Sequence, residues 1–208
     1  MNQDSVISSK TTTQHAPLER LLTWFRIRKV LPYVKNEAVV LDFGCGKHLG
    51  ALRALRSVAS VRIGVDSCFK NIPAAMSSDG ILACGSFSEV ETALQKTGAK
   101  VDTILSLACF EHLEQHEFQG VLKHLDALSG PGCRLVGTVP TPSAKPVLEF
   151  LSYRLRLIDP SQIEDHKVYY DKRQLIDALN NSGWTLVRYQ TFQVKMNSFF
   201  VLEKKLKS

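Results

Sequence analysis

Ala38-Val39-Val40-Leu41-Asp42-Phe43-Gly44-Cys45-Gly46 is the stretch that decides the fold. A short β-branched apolar run ending in glycines is the pattern of a buried parallel strand entering a tight turn. Leu52 and Leu55 follow at helical spacing. Glycines at such a turn let the backbone approach a ligand that a Cβ would exclude. Val61 to Val65 reads as a second strand ending at Asp66, and Ile81 to Cys84 as a third. Glu89 to Lys96 reads as a helix. Val101 to Ala108 reads as a fourth strand with Ile104, Leu105 and Leu107 buried. Phe118, Val121, Leu122 and Leu125 mark another amphipathic helix, broken by Gly130-Pro131-Gly132. Arg134 to Val139 is a fifth strand. Strands alternating with helices predict an α/β fold, a parallel sheet covered on both faces.

The pattern changes after Pro140. Thr141 to Ile158 holds Pro142, Pro146 and the apolar run Val147 to Leu151, read as an inserted helix. Asp171 with Gln174 three residues later opens a further helix in capping-box fashion. Leu175, Ile176 and Leu179 face the core, with Gly183 at the stop position. Trp184 to Val194 and Ser198 to Leu202 are strand-like and pair antiparallel, with Asn197 turning between them. Towards the N-terminus, Leu18, Leu21, Leu22 and Phe25 form one helical face behind Pro17. Residues 1–15 are polar and read as a disordered tail, leaving 16–208 as a single domain.

The chain has 208 residues, 44% hydrophobic and 22% charged, the composition of one globular domain. Its net charge of +6 is spread along the chain, too small to demonstrate nucleic-acid binding, and fits an anionic substrate or only a basic tail. Five cysteines without C-x-x-C spacing read as reduced thiols of a cytoplasmic protein. No run approaches the ~20 apolar residues of a membrane span.

Asp66 lies 24 residues beyond Asp42, in the range expected of an acid that binds ribose hydroxyls. A carboxylate accepts two hydrogen bonds from a vicinal diol. The glycine run Gly44-Cys45-Gly46-Lys47-His48-Leu49-Gly50 misplaces the third glycine of a dinucleotide site. Asp42, directly before it, would repel a pyrophosphate and suit a sulfonium or ammonium.

Val39 to Gly46 resembles motif I of class I S-adenosylmethionine-dependent methyltransferases, and Ile63-Gly64-Val65-Asp66 resembles their second motif. Val101 to Leu113 is similar to the fourth-strand block of the small-molecule, type 11 group. Tyr169 to Leu175 with Asn181-Ser182-Gly183-Trp184 resembles the family's late helix and entry to the sixth strand. His48 departs from the pattern, standing where the family often has a third glycine. The resemblance implies a Rossmann-like three-layer sandwich around a mostly parallel seven-stranded sheet with an antiparallel C-terminal strand. It implies S-adenosylmethionine as cofactor. Asp42, Gly44, Cys45 and Gly46 would lie at the cofactor, Asp66 would take the ribose hydroxyls, Gly85, Ser86 and Phe87 would flank the adenine, and Leu107 or Ala108 would lie under the methionine end.

Methyl transfer needs a general base only if the acceptor must lose a proton. His112, His166 and Tyr169 are the candidates for acceptor chemistry, with Arg154 and Arg156 available to an anionic group and 141–170 as the acceptor cover. His112 and His116 stand at i and i+4 among Glu111, Glu114 and Glu117, but the order is not H-E-x-x-H and no metal is expected. The block Cys109-Phe110-Glu111-His112 lacks the Pro-Pro-aromatic tetrad of base-amine enzymes, and no Pro-Cys pair serves a cytosine-C5 mechanism. A small-molecule methyltransferase is the leading expectation. An RNA- or protein-modifying enzyme, a non-catalytic cofactor-binding protein and an NAD-linked reductase are the alternatives, and a homodimer is left open.

Overall fold

The computed structural model describes residues 24–144 and 169–205. The tail, Pro17 to Leu22, the inserted helix, Arg154, Arg156 and His166 lie outside the described residues. In chain order the elements are helix α1 (24–30), β1 (Ala38–Phe43), α2 (Gly50–Ala54), β2 (Ala59–Val65), β3 (Ala75–Met76), β4 (Ile81–Cys84) and α3 (Phe87–Thr97). Then follow β5 (Val101–Leu107), α4 (Gln115–Leu128), β6 (Ser129–Pro140), α5 (Lys172–Ala178), β7 (Trp184–Phe192) and β8 (Asn197–Lys204).

The strands form one sheet in the order β3-β4-β2-β1-β5-β6-β8-β7. β4, β2, β1, β5 and β6 run parallel, while β8 is antiparallel to both β6 and β7. The two-residue β3 adds an antiparallel eighth strand at the edge, one more than the seven expected. Side chains alternate between the two faces, as a period of two requires. Leu41, Ile104, Leu135 and Phe200 pack on one face with Val90, Phe118, Leu122 and Trp184, from α3, α4 and β7. Val40, Leu105, Val136 and Phe199 pack on the other with Val30, Leu52 and Leu55. Both faces are covered, so the fold is the three-layer sandwich that continuous apolar strands imply.

Several local expectations change, and Ile176, expected to face the core, is exposed instead. α5 begins as read, since Gln174 N donates to Asp171 Oδ1 at 2.8 Å and Asp171 N donates to Gln174 Oε1 at 2.9 Å. Its last residue is Ala178, however, and Asn181 rather than Gly183 takes the left-handed turn with φ 61°. Gly183 instead lies against Asp126, whose Oδ1 would stand 2.8 Å from an added Cβ. Asn197 is the first residue of β8, opposite Phe192. The turn falls on Gln193, Val194 and Lys195, with φ of 51°, 56° and 63°. Finally, β6 begins at Ser129 and runs through Gly130-Pro131-Gly132, with a register shift between Val101 and Thr103 on its partner strand.

The chain leaves β1 toward β2 on one side, while β5 lies against β1 on the other. That reversal of strand order opens a crevice at the carboxyl ends of β1 and β5, where open parallel sheets bind ligands.

Candidate functional site

A cleft of about 610 Å³ occupies that crevice, a size that suits a cofactor. Phe43 and Gly44 at the end of β1, Val65 and Asp66 at the end of β2, Gly85 to Phe87 after β4, and Ala108, Cys109, His112 and Leu113 after β5 line it. Six of the residues singled out from sequence for cofactor binding therefore meet there, Gly44, Asp66, Gly85, Ser86, Phe87 and Ala108, whereas Asp42, Cys45, Gly46 and Leu107 do not line it. His112 lines the same cleft.

Asp66 follows β2 and caps a short 3-10 turn, Ser67–Phe69. Its Oδ1 accepts from Cys68 N at 2.8 Å, and its Oδ2 accepts from Gly46 N, also at 2.8 Å. Each oxygen keeps a lone pair for a further donor. The acid thus ties the glycine loop to the end of β2 and still presents a carboxylate to the cleft.

The glycines of the loop are both left-handed, with φ of 77° at Gly44 and 61° at Gly46. A Cβ on Gly44 would drive into Cys109, reaching its Cβ at 2.7 Å. A Cβ on Gly46 would meet no atom within 4 Å. Gly44 is demanded by packing, whereas Gly46 borders open space. His48 is exposed, and Leu49 takes the left-handed position before α2, with φ 51°.

Asp42 stands beneath this loop, only 2% exposed. Its Oδ1 has no hydrogen-bond partner among the described residues. Burial, and then the charge of Asp66, push its carboxyl up to about 8. An uncompensated buried acid of this kind favours a cation placed nearby. Cys45 packs beside Gly64, and burial with the charges of Asp42 and Asp66 pushes its thiol upward. Cys109 is pushed up in the same way, by burial first and then by Glu111 and Asp42.

Ser86 is the N-cap of α3, accepting from Glu89 N at 3.4 Å. Phe87 opens the helix, half-buried, in a stack with Phe43 at 5.6 Å and His124 at 5.0 Å between ring centres. The positive φ of Ala108, 55°, turns the chain sharply out of β5. Leu107, expected to be buried, is only partly buried and packs against the core cluster that contains Val30 of α1. Tyr169 is half-buried ahead of α5. Among the described residues no three His, Cys, Asp or Glu side chains gather as metal ligands, and His116 pairs on the surface with Glu114 at 3.4 Å. All five cysteines are free.

Cys109 and Lys70 were not read from sequence as part of the site. Cys109 sits against Gly44 and also faces the cleft. Lys70 reaches the rim through a turn that no local pattern marks.

The profile of the methyltransferase-domain family matches residues 18–189, most of the chain. The chain belongs to the class I S-adenosylmethionine-dependent methyltransferases. No curated protein matches the methyltransferase in sequence. Its fold is shared by a SAM-dependent methyltransferase from Anabaena variabilis ATCC 29413, at 14% identity and TM-score 0.64, covering 96% of this chain and 90% of that one. An S-adenosylmethionine-dependent methyltransferase from Mesorhizobium loti matches at 15% identity and TM-score 0.55, covering 90% of this chain and all of the other. A protein described by the conversion of a disulfide bond into a thioacetal group during echinomycin biosynthesis matches at 13% identity and TM-score 0.56, covering 88% and 82%. The cofactor of the methyltransferase is S-adenosylmethionine. The residues present fit it: a cleft of suitable size, open space at Gly46, a carboxylate with spare lone pairs at Asp66, and a buried acid beside the loop for a cationic ligand. Among the described residues no helix is long and apolar enough to cross a membrane.

Proposed function

We propose that this chain transfers the methyl group of S-adenosylmethionine to a small-molecule acceptor. The observation that carries the reading is the convergence of Gly44, Asp66, Phe87 and Ala108 on one cleft at the strand-order reversal. In this reading Asp66 takes the ribose hydroxyls, Ser86 and Phe87 flank the adenine, and Gly44 to Gly46 pass close to the amino-acid end above Leu107 and Ala108. Burial keeps the Asp42 carboxyl largely protonated near neutral pH, and a cationic group beside the loop would favour its ionised form. The cofactor supplies a methyl carbon already activated by the sulfonium, so the chain's own task is alignment and the exclusion of water.

The acceptor side is assigned to His112, at the cleft wall, to Tyr169, and to residues 141–170 with His166 as its cover. The involvement of a neighbouring fold in natural-product chemistry is consistent with a small acceptor. Calorimetric titration with S-adenosylhomocysteine tests the cofactor half of the reading. His112→Ala and His166→Ala, assayed for turnover with cofactor affinity measured alongside, test the acceptor half. Wild-type turnover in both variants would remove these histidines from the site.

A further inference from the structure

Four large apolar side chains stand in solvent on two segments that touch each other. Trp24 and Phe25 open α1, with Trp24 47% exposed, and Leu31 follows the end of that helix. Val194, at the tip of the β7–β8 turn, is 96% exposed. It also lies in the left-handed region, with φ 56°, which a β-branched residue adopts only at a cost. The turn is nevertheless firmly held, since Thr141 donates from its Oγ1 to Lys195 O at 2.6 Å. A valine in that place does nothing for the protein's own core.

The two segments share one end of the molecule. Arg188 Nη1 donates to Tyr33 Oη at 2.6 Å, and the Lys29 ammonium lies 6.0 Å from the centre of the Phe192 ring. Asn197 stands opposite Pro140, at the carboxyl end of β6, so the turn lies at the same end of the sheet as the cofactor cleft. The net charge of +6, which looks spread along the sequence, collects here in the fold. Residues 24–36 hold Arg26, Arg28, Lys29 and Lys35 and no acid, and residues 188–196 hold Arg188 and Lys195 and no acid. The rest of the chain carries the two signs in equal numbers. Arg28, Lys35, Arg188 and Lys195 are exposed. Glu37, the next acid in sequence, precedes β1 at the opposite end of the sheet.

We propose that α1 and the β7–β8 turn form a docking face for an anionic phospholipid surface, with the cleft's end of the sheet turned toward the bilayer. Trp and Phe rings settle at the boundary between headgroups and acyl chains, and an aliphatic tip enters beside them. Cations around such a tip take the lipid phosphates, and an acid-free patch meets no repulsion there. A nucleic acid fits the face less well. It would stack bases on free ring faces, whereas Arg28 lies over the Trp24 ring at 4.7 Å and Phe25 meets that ring edge-on at 5.0 Å. Val194 and Leu31 offer a base neither stacking nor a hydrogen bond, but both gain from entering lipid. The docking face goes beyond the methyl-transfer reading and does not depend on it.

Vesicle binding of the full chain tests the face, by sedimentation and by tryptophan fluorescence. Trp184 is the second of the two tryptophans and is buried, so a blue shift on vesicles reports Trp24. Wild type should sediment with phosphatidylglycerol–phosphatidylcholine vesicles, shift to the blue, and do neither with phosphatidylcholine alone. High salt should weaken the binding. Arg28→Glu reverses one charge and should bind about thirtyfold more weakly, at about fivefold for each unit of charge. Val194→Asp removes the apolar tip and adds a repulsive charge, so it should lose about tenfold or more. Aspartate tolerates the left-handed region better than valine, so this variant should melt no lower than wild type. Equal binding to the two kinds of vesicle, or wild-type binding in both variants, would overturn the proposal. Binding of a single-stranded RNA in place of vesicles, lost in the same two variants, would also overturn it and assign the face to nucleic acid. Titration with S-adenosylhomocysteine is read separately, so its failure would count against the methyltransferase reading and leave the docking result standing.

Discussion

Gly44 and Gly46 share a backbone region and differ in what surrounds them. Alanine at Gly44 meets Cys109, so Gly44→Ala should lower stability by about 2–4 kcal/mol, combining a clash with the left-handed penalty, as urea unfolding would show. Valine at Gly46 meets nothing within the protein. Gly46→Val should lose only about 1–2 kcal/mol from the backbone and yet abolish cofactor binding, because its branch enters the open side of the loop. Normal binding in that variant would show that the loop keeps clear of the cofactor. Asp42 supplies a pH test. Its folded pKa of about 8 lies above the ordinary value of 3.8, so its contribution to stability is fully present below pH 3.8 and is lost as pH rises through about 8. Asp42→Asn should therefore melt with the wild type near pH 4 and above it at pH 9, by differential scanning calorimetry. Parallel curves across that range would mean that Asp42 ionises normally. Asp66 was legible from the sequence as the acid at the end of a strand. Its bond to Gly46 N was not, because it joins residues 20 apart through a turn whose path only the folded sheet defines.

At the scale of elements, what was written locally could be read locally. The Asp171–Gln174 capping box lies within four residues and appears as expected. Replacing the cap, Asp171→Ala, should cost about 1 kcal/mol, measured by urea unfolding. No change would mean that Tyr170 and its neighbours hold the start of α5 without the cap. The strands that escaped the reading are the ones defined by their partners. β3 has two residues and both are exposed, so no apolar alternation announces it, and it exists only because Ala83 and Leu82 of β4 offer an edge. Gly130-Pro131-Gly132 looked like a full stop after α4. In the fold the strand carries these residues as an irregularity, recovering register at Arg134 opposite Thr103. The β7–β8 turn contains no glycine. Three consecutive left-handed residues make it, and Thr141 helps hold it by donating from its N to Met196 O at 3.0 Å and from its Oγ1 to Lys195 O at 2.6 Å. Asn197 was the only residue there whose type suggested a turn, and it lies one position too late.

The whole molecule follows from alternation. Buried apolar strands separated by amphipathic helices admit few arrangements, and the reversal of strand order between β1 and β5 fixes where a ligand must lie. That is why the position of the cleft was legible before the contacts within it were. Isothermal titration calorimetry tests most directly whether the cleft holds S-adenosylmethionine through Asp66, comparing S-adenosylhomocysteine with NAD on the wild type and on Asp66→Ala. Saturable one-to-one binding of S-adenosylhomocysteine, no binding of NAD, and an affinity loss in Asp66→Ala of about 1.5–3 kcal/mol are expected. Binding of NAD in preference, or unchanged S-adenosylhomocysteine affinity in Asp66→Ala, would contradict that assignment.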